Sequence, residues 1–152
     1  MDQLAELIII GTPTKSFIDR EHKITHYGDG EVQDFYTLTE IQIDKILKKP
    51  DDLPQDQKTT SIIEPIGLDG ETKLIVDDYV ELQKGDQSVI FLVKNTFGDY
   101  GIMNENLGKY SLDHPEVSIS RMSEESSRQS EENETDKYIN YREEVFKKYN
   151  IE

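Results

Sequence analysis

The feature that most constrains this chain is the run Val89-Ile90-Phe91-Leu92-Val93, held between a Lys84-Gly85-Asp86 turn and a Gly98-Asp99 turn. A short, continuous apolar run rich in β-branched and aromatic side chains, bounded by glycine turns, reads as a strand buried on both faces. Such a strand needs neighbours. The flanking sequence offers them: Tyr79-Val80-Glu81-Leu82 before the first turn, then Tyr100-Gly101-Ile102 and Gly108-Lys109-Tyr110 after the second. Residues 79 to 110 are expected to form two or three adjacent strands on which the rest of the fold is organised.

Upstream, Leu4-Ala5-Glu6-Leu7-Ile8-Ile9-Ile10-Gly11-Thr12-Pro13 is a branched-aliphatic strand stopped by a residue that cannot donate to a ladder. It begins so close to Met1 that a leader removed by processing is expected upstream. Lys15 to Tyr27 alternates weakly and ends at Gly28-Asp29-Gly30-Glu31, which predicts a half-exposed strand and a hairpin tip. From Phe35 to Leu47 the apolar positions Ile41 and Ile43 are two apart, then slip by one to Ile46-Leu47. That slip predicts a β-bulge in a long strand that must bend to stay on a small core. A proline-rich loop over 48–57 is followed by strands at Thr59–Ile66, interrupted by Pro65, and Thr72–Val76, joined through an Asp69-Gly70 turn. Turn signals recurring roughly every ten residues are the spacing of an all-β barrel or sandwich built from sequential hairpins.

The composition changes after Tyr110. Residues 123–136 are polar and strongly acidic, with Glu124, Glu125, Glu131, Glu132, Glu134 and Asp136 facing only Arg128, so this window cannot supply a core face and reads as a flexible link, the alternative being a solvated helix. In the last segment Tyr138, Tyr141, Val145 and Tyr149 fall at helical spacing, with acids before bases along the axis as the helix dipole prefers. A lone helix of about three turns is marginal in water, so it should dock on the barrel or on a partner. The expected organisation is a β-barrel domain over 1–120 and an acidic linker with an amphipathic helix over 121–152. The fold class is mainly β, a partly open antiparallel barrel of the oligomer-binding (OB) type with a C-terminal α-helix.

The totals exclude several functions. Seventeen Lys and Arg against 32 Asp and Glu leave a net charge of −15, a field that repels phosphate backbones and anionic lipid surfaces, so nucleic acid is not an expected partner. No cysteine is present, which removes disulfide frames, thiolate metal sites and cysteine nucleophiles. No apolar run approaches the roughly 18 residues of a membrane-spanning helix.

Few residues invite a chemical reading. His22 and His26 are four apart, which would share a face on a helix but not on the strand expected here, and no metal site is expected. The Gly28–Glu31 turn lacks the alternating oxygen ligands of a calcium loop. Gly11-Thr12-Pro13-Thr14-Lys15-Ser16 lacks the second glycine and the following helix of a phosphate loop. Asp51-Asp52 and Asp77-Asp78 read as turn formers before they read as paired catalytic acids. No catalytic set and no cofactor is recognisable. Among eight tyrosines, Tyr27, Tyr36, Tyr79 and Tyr100 lie in the β region and are the candidates for a ligand-stacking strip, the competing reading being rings in the core with hydroxyls at its edge.

The order of phrases Ile8-Ile9-Ile10-Gly11-Thr12, Ile43-Asp44-Lys45-Ile46-Leu47-Lys48, Leu82-Gln83-Lys84-Gly85 with Ile90-Phe91-Leu92, and Gly108-Lys109-Tyr110 resembles a group of small exported domains of Gram-positive bacteria, often lipid-anchored. The resemblance covers about residues 4–112; Lys49 and Ser88 depart from its glycine and aromatic positions. It implies a location outside the cytoplasm, with a leader and a lipidated cysteine upstream as the only membrane attachment. It carries no catalytic residues. The expected function is a non-enzymatic, surface-exposed binding or interaction module for a protein or carbohydrate, the alternative being a cell-envelope hydrolase or hydrolase inhibitor.

Overall fold

A computed structural model describes residues 3–76, 79–117, 119–120 and 134–151. Its strands are β1 (Leu7–Pro13), β2 (Glu21–His26), β3 (Val32–Lys48), β4 (Thr59–Glu64), β5 (Ile66–Asp69), β6 (Thr72–Ile75), β7 (Ser88–Lys94), β8 (Tyr100–Ile102) and β9 (Lys109–Ser111), and the helix α1 spans Glu134–Lys148. The strands β1-β3-β4-β8-β7 pair in that order, and a β7–β1 ladder closes the ring. Renumbered by sequence, these five follow the order 1-2-3-5-4-1 of an OB barrel.

The mainly β barrel with a C-terminal helix is thus the fold that forms. Two details differ from the sequence expectation. The barrel is closed, because β1 is apolar on both faces and pairs along both edges, with β3 and with β7. One ladder, β4–β8, is parallel: the chain leaves β4, crosses the barrel end and descends in β7 before β8 returns beside β4.

The long strand β3, 17 residues, bends around the barrel and serves three partners in succession, β2 through Val32–Leu38, β4 through Thr37–Gln42 and β1 through Ile41–Lys48. The expected irregularity is present as two register shifts against β1, between Ile8 and Ile9 and between Ile10 and Gly11. Gly11 sits where a Cβ would collide with the Ile41 side chain, so the close β1–β3 approach needs a residue without one. The Asp69-Gly70 turn forms as read, with Gly70 at φ 63° joining β5 to β6.

Strand periodicity divides the apolar residues of β1 and β7 between two cores. Leu7, Ile9, Ile90 and Leu92 point into the barrel with Ile41, Ile62, Leu82 and Tyr100. Ile8, Ile10, Val89 and Phe91 point outward and are covered by α1, which contributes Tyr138, with Tyr110 between. The amphipathic helix expected at the C-terminus docks on the barrel, one turn longer at its start than its apolar spacing alone indicated. Tyr138 is completely buried, its ring 5.1 Å from that of Tyr110, which meets Phe91 edge-on. Arg142 fixes the helix by donating from Nε to the Ser111 carbonyl (3.0 Å) and from Nη2 to the Leu112 carbonyl (2.9 Å). Of the acidic window, residues 123–133 lie outside the described residues, and Glu134, Thr135 and Asp136 open α1.

Candidate functional site

The expectation that Tyr79–Leu82 is a strand is corrected. Tyr79, Val80 and Leu82 are buried, but the segment joins no ladder. Two of its amides are satisfied by side chains, Val80 N–H donating to Asn106 Oδ1 (2.9 Å) and Leu82 N–H to Glu64 Oε2 (2.9 Å), while Tyr79 N–H donates to the Val76 carbonyl (3.1 Å). It is a strap across one end of the barrel, with Leu82 in the interior cluster.

Glu64 is what holds it. At the end of β4, Glu64 shares the inward parity of Ile62, and its carboxylate is wholly buried. A buried charge persists only when paired and hydrogen-bonded. Here Oε1 accepts from Arg20 Nη1 (3.2 Å) and from the Thr39 hydroxyl, and Oε2 accepts from the Tyr79 hydroxyl and the Leu82 amide. Arg20, itself 5% exposed, continues from Nη2 to the Leu82 carbonyl (2.6 Å) and from Nε to the Lys15 carbonyl (3.2 Å). The node ties together the segment after β1, strand β4 and the strap. The Tyr79 phenol is held well above its ordinary pKa, by burial first and then by the Glu64 charge beside it.

Lys109 stands next to this node, its ammonium 5.0 Å from the centre of the Tyr79 ring. Burial pulls its pKa down to about 8, against the opposing pull of Glu64, Glu81 and Asp86. It borders a cavity of about 20 Å³ shared with Glu81, Asp86, Ser111 and His114, room for about one water and no larger ligand.

Among the described residues, a concave feature large enough to hold a ligand lies between α1 and the barrel. This groove encloses about 550 Å³, within the range of small-ligand sites. Buried Phe91 and half-buried Leu107 and Val145 line it with exposed Leu4, and Asn104 adds a polar group. One face of α1 supplies the wall: Tyr141 and Tyr149, with Lys137, Glu144 and Lys148 along the rim.

The four tyrosines singled out by sequence do not form one strip. Tyr79 and Tyr100 are interior, at 1% and 8% exposure, as the core reading of such residues would have it. Tyr27 is exposed beside the Gly28–Glu31 turn, and Tyr36 is half-buried on β3. Neither lines the groove. His22 is occupied by Thr37 Oγ1 and the Phe17 carbonyl, both at 2.8 Å, and His26 meets Asp69 at 3.2 Å. Asp51 and Asp52 lie exposed in the loop after β3, with Asp52 3.6 Å from the Lys94 ammonium, and Asp77-Asp78 lie outside the described residues.

Glu64 carried one sequence signal that reading by composition passed over, an acid on the inward parity of an apolar strand. The groove carried none, because its floor and wall come from segments more than a hundred residues apart in the chain, such as Leu4 and Tyr141. Compared with known proteins, the chain matches no family model, no curated protein and no solved structure.

Proposed function

We propose that this protein is a non-enzymatic binding module, displayed outside the cytoplasm, whose contact site is the groove between α1 and the barrel. The observation that carries this reading is the groove's make-up: apolar Leu4, Phe91, Leu107 and Val145 beside polar and charged side chains, Asn104, Lys137 and Glu144 among them. Apolar anchoring with a few placed polar groups is the usual composition of a recognition site. The buried charge at the strap supports the same reading. With four donors on its two oxygens, the Glu64 carboxylate is committed to holding the strap and has little capacity left for proton transfer. The extracytoplasmic placement rests on the resemblance to exported Gram-positive domains, and a leader encoded upstream of Met1 would test it directly.

The binding reading is tested by recording amide NMR spectra of the chain against a set of short peptides and oligosaccharides. Perturbations concentrated at Asn104, Leu107, Tyr141, Val145 and Tyr149 are the expected result. Perturbations confined to the outer faces of β3 and β4, or none, would overturn it.

A further inference from the structure

We propose that the crevice between the strap and β9 is a binding site for one water molecule, which accepts from the Lys109 ammonium and links it to the Asp86 carboxylate and the Ser88 hydroxyl. The strap then closes over a wet joint on this side and over the dry Glu64 node on the other.

Strand register assembles the polar wall. Ser88 of β7 pairs with Ser111 of β9, and Val89 with Tyr110. Side chains alternate along a strand, so Lys109 and Ser111 share the face that Tyr110 turns away from, with Ser88 directly opposite Ser111. All three line the crevice with Asp86, and the strap residues from Val80 to Gln83 form its other wall.

Lys109 is the group that demands a ligand. It is 4% exposed, and among the described residues its ammonium donates no hydrogen bond. The Tyr79 ring, its centre 5.0 Å away, covers one side of the charge. An ammonium carries three donors, and a buried charge without acceptors is costly. Ser88, 2% exposed, likewise has no hydrogen-bond partner among the described residues. Asp86 uses Oδ1 to accept from the Ser111 hydroxyl (2.9 Å), which leaves Oδ2 for a further donor.

Size and charge together select the ligand. A space of about 20 Å³ exceeds the roughly 10–15 Å³ that one water needs, and it excludes polyatomic ions. A single halide would fit by size. However, Lys109 already lies in the field of three carboxylates, Glu64, Glu81 and Asp86, and Asp113 and Glu116 add their charge at Asp86. An added anion meets more negative than positive charge, and an added cation meets the ammonium. Water answers both, because it accepts from Nζ and donates to the carboxylate. With Ser88 it reaches the three hydrogen bonds usual for a buried water. Since the strap shuts it in, its exchange with solvent reports how often the strap lifts.

The test is a high-resolution crystal structure of the whole chain, native and soaked in bromide, together with amide-to-water cross-relaxation by NMR in solution. One ordered water should stand about 3 Å from Lys109 Nζ, within hydrogen-bond distance. The Ser111 amide should show cross-peaks with the sign of a long-lived water. Lys109→Met should lose both signals while the β7–β9 ladder persists. An ammonium bonded directly to a carboxylate with no water between overturns the proposal. So does a bromide peak in the crevice, which would make it an anion site, or a water that keeps its place in Lys109→Met. If that variant does not fold, the native map and the bromide soak are decisive by themselves.

Discussion

The strap and the groove handle charge in opposite ways. At the strap, Glu64 and Arg20 are buried with side-chain exposures of 0% and 1%, and their hydrogen bonds turn inward to the protein's own hydroxyls, amides and carbonyls. At the groove, Lys137, Glu144 and Lys148 sit on a rim above an apolar floor, where solvent or a ligand can reach them. The first arrangement fixes a conformation: it closes one barrel end with a segment that no ladder holds. The second leaves Glu144 exposed and Lys137 half-buried beside apolar side chains. Buried polar groups become structural when every lone pair is engaged, and recognition needs the reverse, a surface whose partners are not all internal.

The largest effect should come from breaking the sealed end. Glu64→Ala leaves the Arg20 guanidinium, the Tyr79 hydroxyl and the Leu82 amide without their acceptor, and an unpaired buried charge typically costs about 3–5 kcal/mol. Urea denaturation should show that loss, with enhanced exchange at the Val80 and Leu82 amides. A loss below about 1 kcal/mol would mean that the strap is held by something else.

Lys109 gives the next effect, through pH. Its pKa is about 8 in the folded chain against an ordinary value of 10.5, so between those limits the unfolded chain binds the extra proton. Stability then rises with pH across that window, by about 2 kcal/mol from pH 7 to about 9.5. Further up, Tyr79 and Tyr110, whose pKa values are raised above 10.0, work in the opposite sense, because the unfolded chain loses their protons first and stability falls. Lys109→Met should flatten the rise and stabilise the protein near neutral pH. A wild-type profile flat between pH 7 and 9.5 would show that the ammonium is not desolvated.

Smaller effects belong to the helix end. Arg142→Ala removes two hydrogen bonds from a guanidinium to the Ser111 and Leu112 carbonyls, and a loss of about 1.5 kcal/mol is expected. Amide exchange should quicken along α1 and stay unchanged in β3 and β4. Val145→Ala should cost about 1 kcal/mol or less, because Val145 is only half-buried at the groove. If it cost as much as a truncation inside the barrel, the groove would be packed core and not an open site.

How much of this was legible in the sequence follows from the range of the interactions involved. The Val89–Val93 run announced the strand that joins β1, β8 and β9, because continuous burial shows in every residue. The bend of β3 showed as a slip in apolar spacing, and the hairpin at Gly70 as an Asp-Gly pair. Tyr79–Leu82 was misread because its apolar residues look like a strand's, while the difference lies in where its amides bond, to Asn106 and Glu64. Those partners are set by tertiary structure. Tyr27, Tyr36, Tyr79 and Tyr100 could be recognised as aromatic residues of the barrel but not sorted into surface and interior, since their spacing does not reveal which way a strongly bent sheet faces. The groove depends on where α1 docks, and that docking is decided by Tyr138 and Arg142 meeting residues from the other end of the chain.

The measurement that tests the account most directly is a crystallographic fragment soak of the whole chain. The account requires bound fragments to collect between Leu107 and Val145, with none entering the Glu64 node. Fragments gathered at the strap or on the outer faces of β3 and β4, with the groove empty in every soak, would contradict it.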